Sequence, residues 1–506
     1  MKHAVVTESA IRLILLSATV LIVSACNRQS PPVATRQSEP GISSVARAAA
    51  IRLDTPPAPL SAVARLGQKM FFDASLSGSG KMSCAACHNP AHAYAPANSL
   101  AAQLGGSDMK QQGDRAVPSL TYLERTPPFR IRPDTTFDPD DHGPAKAPRP
   151  LVNAFTKEVE LPNYPHGMNP DQAVPQGGMD WDGRAATVLD QPSGPLFDPR
   201  EMANRNARAL LTKVKATPYA NEFVAVFGQE VFRSQARSLA DVYLALARYL
   251  AEERSFHPYN SKFDYYLAGR AQLSEQELRG LKLFDDPKKG NCAACHLDKP
   301  TKNRFAPVFT DYEFEALAAP RNKNLTVNRD SKFFDEGACG PARRDLAKAQ
   351  NFCGLFKTPT LRNVATRQVF FHNGVFHSLE DVVRFYVERE TRPDKWYPHK
   401  DNGTVEMYDD LPPSYRANVD VSDAPFTGHR GDTPALNDQE IKDVVAFLKT
   451  LTDNYQDASR VSSQAFRQTN VQQSLDTRPL PTESVGTRHH QCLTIPTISQ
   501  IPKTSR

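Results

Sequence analysis

The chain has 506 residues, 40% of them hydrophobic and 23% charged, the composition of a soluble globular protein long enough for two or three domains. The net charge of +5 is small for this length and spread along the chain, so it supplies no case for a nucleic-acid partner.

Lys2 and Arg12 are followed by an uncharged run from Leu13 to Ala25. This order is that of a secretory signal, and the run is shorter than the roughly 20 residues a bilayer span needs. It ends in VSAC at Cys26, which resembles the lipobox of bacterial lipoproteins, where the cysteine is acylated and becomes the new N-terminus. The plainer alternative is an ordinary signal cleaved nearby, with Cys26 incidental. Residues 1–26 are read as a lipoprotein-type signal and 27–51 as a flexible linker, which implies a periplasmic protein held at a membrane only through lipid. Export puts the eight cysteines in an oxidising compartment.

The lead-in RLGQKMFFD from Arg65 predicts a helix running into MSCAACHNPAHAY, where Cys84, Cys87 and His88 have the spacing C-x-x-C-H. That spacing reads as covalent attachment of a c-type haem, with the histidine as one axial ligand of the iron. Between Thr126 and Gly178 the chain is rich in Pro, Asp and Asn without sustained periodicity, which predicts long loops. SLADVYLALARYLAEERSF from Ser238 predicts the helix that closes the first half. A boundary follows between residues 256 and 270, and the pattern then repeats. Ser274 and Glu277 have capping-box spacing ahead of the apolar positions Leu278, Leu281 and Leu283, and RGLKLFDD leads into NCAACHLDKP with Cys292, Cys295 and His296. Two C-x-x-C pairs could instead build one four-cysteine zinc site, but that leaves the histidine after each pair unexplained. Cys339 and Cys353, fourteen apart, suit a loop-closing disulfide, whereas Cys492 has no evident partner. LNDQEIKDVVAFLKTL from Leu436, with Asn437 and Glu440 as another capping box, closes the second half. The expected fold is mainly α, with two cytochrome c-like haem domains and long irregular loops. The domains are placed at 52–258 and 259–455, followed by a disordered tail at 456–506.

Between the haem motifs lies DWDGRAATVLDQPSGPLFDPREMANRN. Together with the two motifs it resembles the bacterial di-haem cytochrome c peroxidase family, which includes MauG, over roughly residues 52 to 453. The resemblance implies that Trp181 lies between the haems, that Gln191 and a catalytic Glu201 follow at intervals of ten, and that Pro195 lines the pocket. In GLFKTPTLRNVATRQVFFHNGVFHSLEDVVRFYVERE it implies that Tyr386, fourteen residues after His372, is the far ligand of the second haem. A tyrosine packed with Leu379, Val382 and Val383 on a helix face is the alternative reading, and Met407 the alternative ligand. Typical members cap the first haem with a histidine ahead of an Arg-Asn segment, but the corresponding GDRAVPSL follows a stretch with no histidine from Ala93 to Asp141. His92 is too close to His88 to reach the opposite face, so the first iron is expected to be open or water-bound. Family members often hold calcium through the Asn after that Arg; Ala116 stands there and removes one oxygen ligand, which leaves at most a weaker calcium site.

The implied activity is reduction of hydrogen peroxide at the first haem, with electrons from a small cytochrome or cupredoxin entering at the second. Glu201 would act as acid and base, Gln191 would orient peroxide, and Trp181 would relay oxidising equivalents. Without the resemblance, Glu201 is a surface carboxylate and Trp181 a core aromatic. The alternatives are a MauG-like enzyme that oxidises Trp or Tyr residues of a partner protein, and a non-catalytic di-haem electron carrier.

Overall fold

The computed structural model describes residues 58–133 and 173–456. Cys26, the signal, the linker, Cys492 and the tail from 457 lie outside the described residues. Ten α-helices run through these residues: α1 (Ala62–Phe72), α2 (Cys84–Cys87), α3 (Ser193–Phe197), α4 (Ala207–Ala216), α5 (Ala220–Phe227), α6 (Gln235–Glu252), α7 (Lys262–Leu267), α8 (Glu275–Asp285), α9 (Leu379–Glu388) and α10 (Asp438–Lys449). The only sheets among them are three two-stranded antiparallel ribbons. The architecture is mainly helical.

The internal repeat acquires a physical meaning in the helix pairs α1–α6 and α8–α10, in which the lead-in helix of each half lies across its closing helix. Gly67 and Gly280 occupy equivalent positions in the two lead-ins, and a Cβ on either would fall 1.9 Å from a backbone oxygen of the crossing helix, that of Ala245 or Asp443. Four residues further on, Phe71 and Phe284 are both buried, and Asp73 and Asp286 both end their helices. The missing side chain lets the two backbones touch, and the phenylalanine then fills the space beside the crossing. Capping is equally local. Ser61 accepts from the Ala64 amide at 3.1 Å, and Ser274 with Glu277 and Asn437 with Glu440 form the capping boxes that open α8 and α10. Helix α6 starts three residues earlier than its sequence pattern, at Gln235, because Ser234 rather than a later residue takes the capping position.

Each half has its own core. Leu66, Phe71, Leu210, Phe223, Val242 and Phe256 belong to the first; Phe263, Phe284, Phe309, Phe385, Val444 and Phe447 belong to the second. The last buried residue of the first core is Phe256 and the first of the second is Phe263. The segment read as irregular from Thr126 to Gly178 is not wholly so. Strands β1 (Leu104–Gly105) and β2 (Gln111–Gln112) precede it, and its ends form β3 (Arg130–Pro133) and β4 (Ala173–Gln176), paired with Arg130 opposite Gln176. The ribbon escapes a periodicity reading because its strands are four residues long and about forty residues of chain separate them. A third ribbon, β5 (Phe314–Glu315) with β6 (Phe356–Lys357), and the bridged pair Cys339–Cys353 order the long excursion of the second half.

Two buried ionic networks join the halves. The Arg362 guanidinium, with its side chain fully buried, donates to both oxygens of Asp264 at 2.8 and 2.7 Å and lies over the Tyr122 ring, whose hydroxyl donates to Asp453 at 2.7 Å. Arg115 makes a bidentate pair with Asp335, both bonds 2.6 Å, and a second ion pair with Asp182 at 2.8 Å.

The two glycine crossings give a test of the fold. Overpacking a tight contact costs about 1–3 kcal/mol, more than the roughly 1 kcal/mol of helix propensity that Gly to Ala gains. Gly67→Ala and Gly280→Ala should therefore each lower the thermal midpoint. Gly194→Ala, on α3 with nothing within 4 Å of the new Cβ, should not lower it in the same calorimetric scan.

Candidate active site

One helical turn builds each haem motif. In α2 the chain from Cys84 to Cys87 makes a single turn, and the His88 amide closes it on the Cys84 carbonyl at 2.9 Å. In the second copy a 3-10 turn over Cys292–Ala294 does the same, with the His296 amide on the Cys292 carbonyl at 2.8 Å. The turn presents both sulfurs and the following imidazole to one side. Each imidazole is oriented by a backbone carbonyl on its Nδ1, that of Tyr94 at 3.2 Å for His88 and that of Phe309 at 2.9 Å for His296. Assigning the proton to Nδ1 in both rings leaves Nε2 with its lone pair, the arrangement an axial histidine needs. Burial lowers both imidazoles to about 4, so they are neutral at ordinary pH.

The four motif cysteines are unbridged, and they do not converge. Cys84 and Cys87 pack on the first core and Cys292 on the second, and no group of metal-ligating side chains among the described residues includes any of them. The single four-cysteine zinc site is therefore excluded. Haem c fits instead. A cavity of about 280 Å³ is lined by Cys292, Cys295, His296 and Tyr386 and reaches Trp181 and Gln191. Arg367 lies on the same cavity, half-buried, with backbone carbonyls of Val117 (2.8 Å) and Val369 (3.4 Å) as acceptors, and desolvation lowers it to about 10. A guanidinium so placed suits a cofactor that brings carboxylates, as haem does with its propionates.

Trp181 is held from both halves. Its Nε1 donates to the Ala116 carbonyl at 2.8 Å, and its own carbonyl accepts from the Lys357 amide on β6 at 2.8 Å. The next residue, Asp182, is buried beneath Arg115 and Arg184. Gln191 sits in the turn before α3 and shares the cavity with Trp181. Pro195, within α3, accepts from the Met202 amide at 3.0 Å. Glu201 ends a turn in which its amide donates to Asp198 at 3.0 Å, and its carbonyl accepts from Gly106 at 2.9 Å. It is not part of the cavity lining, and it lies close enough to Cys84 and Cys87 for its charge to raise both thiols. Its own carboxyl is raised to about 7, first by burial and then by Asp198 and Asp180, against the opposing charges of Arg184 and Arg200.

Tyr386, on α9, borders the cavity with His296, its ring 5.9 Å from that of Phe371 and 5.6 Å from that of Phe426. Burial and the neighbouring Cys295 and Cys292 push its hydroxyl up. Met407 packs on the second core, outside the cavity lining. Three residues at the cavity had no role in the sequence reading. Lys357 donates to the Gly178 carbonyl and is lowered to about 8 by burial. Arg367 is the second. His372 stacks on Phe356 at 3.6 Å with Asp410 at 3.8 Å. The motif FHNG marks His372, but nothing in residue type marks a half-buried lysine or arginine.

The family model described as di-haem cytochrome c peroxidase matches residues 61–272. The methylamine utilization protein MauG of Paracoccus denitrificans is 28% identical over 399 residues, 78% of this chain and 89% of that protein. The cytochrome c551 peroxidase of Nitrosomonas europaea is 27% identical over 341 residues, 66% of this chain and 76% of that protein. The crystal structure of the diheme peroxidase BthA from Burkholderia thailandensis superposes with a TM-score of 0.64 at 35% identity, covering 80% of this chain and 92% of that one. With the paired haem-binding turns and the Trp181 to Glu201 segment between them, these likenesses place the chain in the di-haem cytochrome c peroxidase family of oxidoreductases.

Proposed function

We propose that the protein reduces hydrogen peroxide to water, using Glu201 as the acid and base of the first haem pocket and electrons that enter at the second. The observation that carries this reading is Glu201, a carboxyl raised to about 7 and near enough to Cys84 and Cys87 for its charge to raise both thiols. Haem c bound through Cys84, Cys87 and His88 supplies the redox chemistry, and a second haem on Cys292, Cys295 and His296 supplies the electron store.

The protein's own groups do the rest. Breaking the O–O bond of peroxide requires a proton to leave one oxygen and arrive at the other, and a carboxyl poised near neutrality can take it and give it back. Burial sets that poise, while Arg184 and Arg200 keep it from rising further. Gln191 orients the peroxide by its amide. Trp181, pinned to Ala116 on one side and Lys357 on the other, offers an aromatic step between the two haem sites. Tyr386, which lines the cavity with His296, would be the second protein residue to hold a haem there. The overall change is one H2O2, two electrons and two protons to two waters. A small exported cytochrome or cupredoxin is the electron source, and export with a lipid at Cys26 sets the compartment. No helix among the described residues is long and apolar enough to cross a membrane. A MauG-like oxidation of Trp or Tyr residues in a partner protein is the second reading, favoured by Tyr386 on the cavity and by the lack of a capping histidine between Ala93 and Asp141.

Glu201→Gln should retain both haems and slow peroxide reduction by about 100-fold to 10,000-fold, the usual worth of positioned acid–base catalysis. Because the carboxylate forms as pH rises through about 7, the parent rate should climb across that interval in stopped-flow mixing, and the climb should vanish in the glutamine variant. Tyr386→Phe should change the low-spin signal of the second haem in electron paramagnetic resonance; an unaltered signal would hand the ligand role to Met407.

A further inference from the structure

Tyr94 is 2% exposed, and its backbone carbonyl is the acceptor that orients His88. A tight turn holds it there: the Tyr94 amide donates to Asn89 at 2.9 Å, Asn89 to Ala95 at 3.2 Å, and both Ala93 (φ 51°) and Tyr94 (φ 59°) adopt the left-handed conformation. The ring stacks on Phe256 with centroids 3.9 Å apart and meets Phe71 edge-on at 6.1 Å. A phenylalanine would fill that aromatic cage equally well, so packing does not call for the hydroxyl.

The hydroxyl interacts with the Tyr249 side chain and has a short bond to Ser255. It lies 2.6 Å from Ser255 Oγ, and Ser255 in turn donates to Glu253 Oε1 at 3.1 Å. A serine hydroxyl has one proton, here committed to the carboxylate, so the phenol is the donor to Ser255. Ser255 is exposed and Glu253 half-buried. The residue whose carbonyl orients His88 is therefore linked through its hydroxyl by two hydrogen bonds, both running outward, to the half-buried carboxylate of Glu253.

We propose that Tyr94 is a redox-active tyrosine, which gives one electron to the peroxide-oxidised first haem and its phenolic proton to Ser255, with Glu253 as the final proton acceptor. The proposal rests on the peroxidase reading. Reduction of peroxide removes two electrons from the protein, and when the second haem has none to give, Tyr94 supplies one. Tyr94 loses an electron and a proton and becomes a neutral tyrosyl radical, while the haem gains the electron. The phenolic proton passes to Ser255 Oγ as the serine proton passes to Glu253, so Ser255 is unchanged. An electron from the reducing partner and the returning proton restore the phenol.

The test is freeze-quenched electron paramagnetic resonance of the fully ferric holoprotein after peroxide, without electron donor, grown with ordinary or ring-deuterated tyrosine. The parent should show a radical signal that narrows with the deuterated residue. Tyr94→Phe should lose it with haem content and resting spectrum intact, and Tyr243→Phe, in the same core, should keep it. Ser255→Ala keeps the phenol but removes its acceptor, and the radical yield should fall about tenfold, as expected for loss of one hydrogen bond that stabilises the product. A tyrosyl signal that survives in Tyr94→Phe, one lost only in Tyr243→Phe, or an undiminished yield in Ser255→Ala overturns the proposal. No tyrosyl signal in the parent while peroxide is consumed overturns it alone; no signal with no peroxide consumed overturns it together with the peroxidase reading.

Discussion

The buried guanidinium of Arg115 is the point on which the site turns. One side of it pairs with Asp335 in the second half, and the other pairs with Asp182, the residue after Trp181. Its chain neighbour Ala116 accepts the Trp181 indole proton and donates its amide to His372. The guanidinium also lies over Phe356, on which His372 stacks. One charged side chain thus fixes the height of the tryptophan, the ribbon that carries Lys357 and the histidine of the second half. Burying such a cation is tolerable only because two carboxylates share it, and removing either would strand charge where water cannot reach. The halves are held in register by electrostatics of short reach together with small apolar clusters that span them, Ile131 and Ala173 packing with Phe314 and Phe352, and Tyr122 with Val308 and Tyr312.

The two halves are built alike and used differently. Gly67 and Gly280, Phe71 and Phe284, and the two one-turn motifs give each half the same frame, and both imidazoles are oriented by a backbone carbonyl. What departs from the repeat is the material opposite the motifs. Glu201 arrives against Cys84 and Cys87 on a turn between α3 and α4, a polar group that titrates near neutrality. Tyr386 arrives against His296 on a continuous helix, with Phe371 and Phe426 around it. A turn leaves room and brings charges, whereas an amphipathic helix closes space with rings. This difference supports assigning proton chemistry to one half and electron storage to the other.

The reading of residues from Trp181 to Glu201 as one constellation needs refinement in space. Trp181 and Gln191 line a cavity with the second motif, while Glu201 is within electrostatic reach both of Cys84 and Cys87 and of Asp180, the cavity-lining neighbour of Trp181. The segment therefore connects the surroundings of the two motifs.

The sequence by itself determined whatever is settled within a turn or two of chain. The motif turns, the capping boxes at Ser274 and Asn437 and the helix repeat were legible because their hydrogen bonds join residues three or four apart, and residue type and spacing are then sufficient. The Arg130–Gln176 ribbon and the start of α6 at Gln235 were not, the first because its partners are far apart in sequence, the second because one of several serines had to be chosen as the cap. The tertiary structure alone decided that Trp181 bonds Ala116 across 65 residues, that Arg115 reaches Asp335 across 220, and that Arg367 and Lys357 are half-buried cations on the cavity. Burial and opposing charge are properties of the folded neighbourhood, and they set the ionisation of Glu201, which its residue type leaves open.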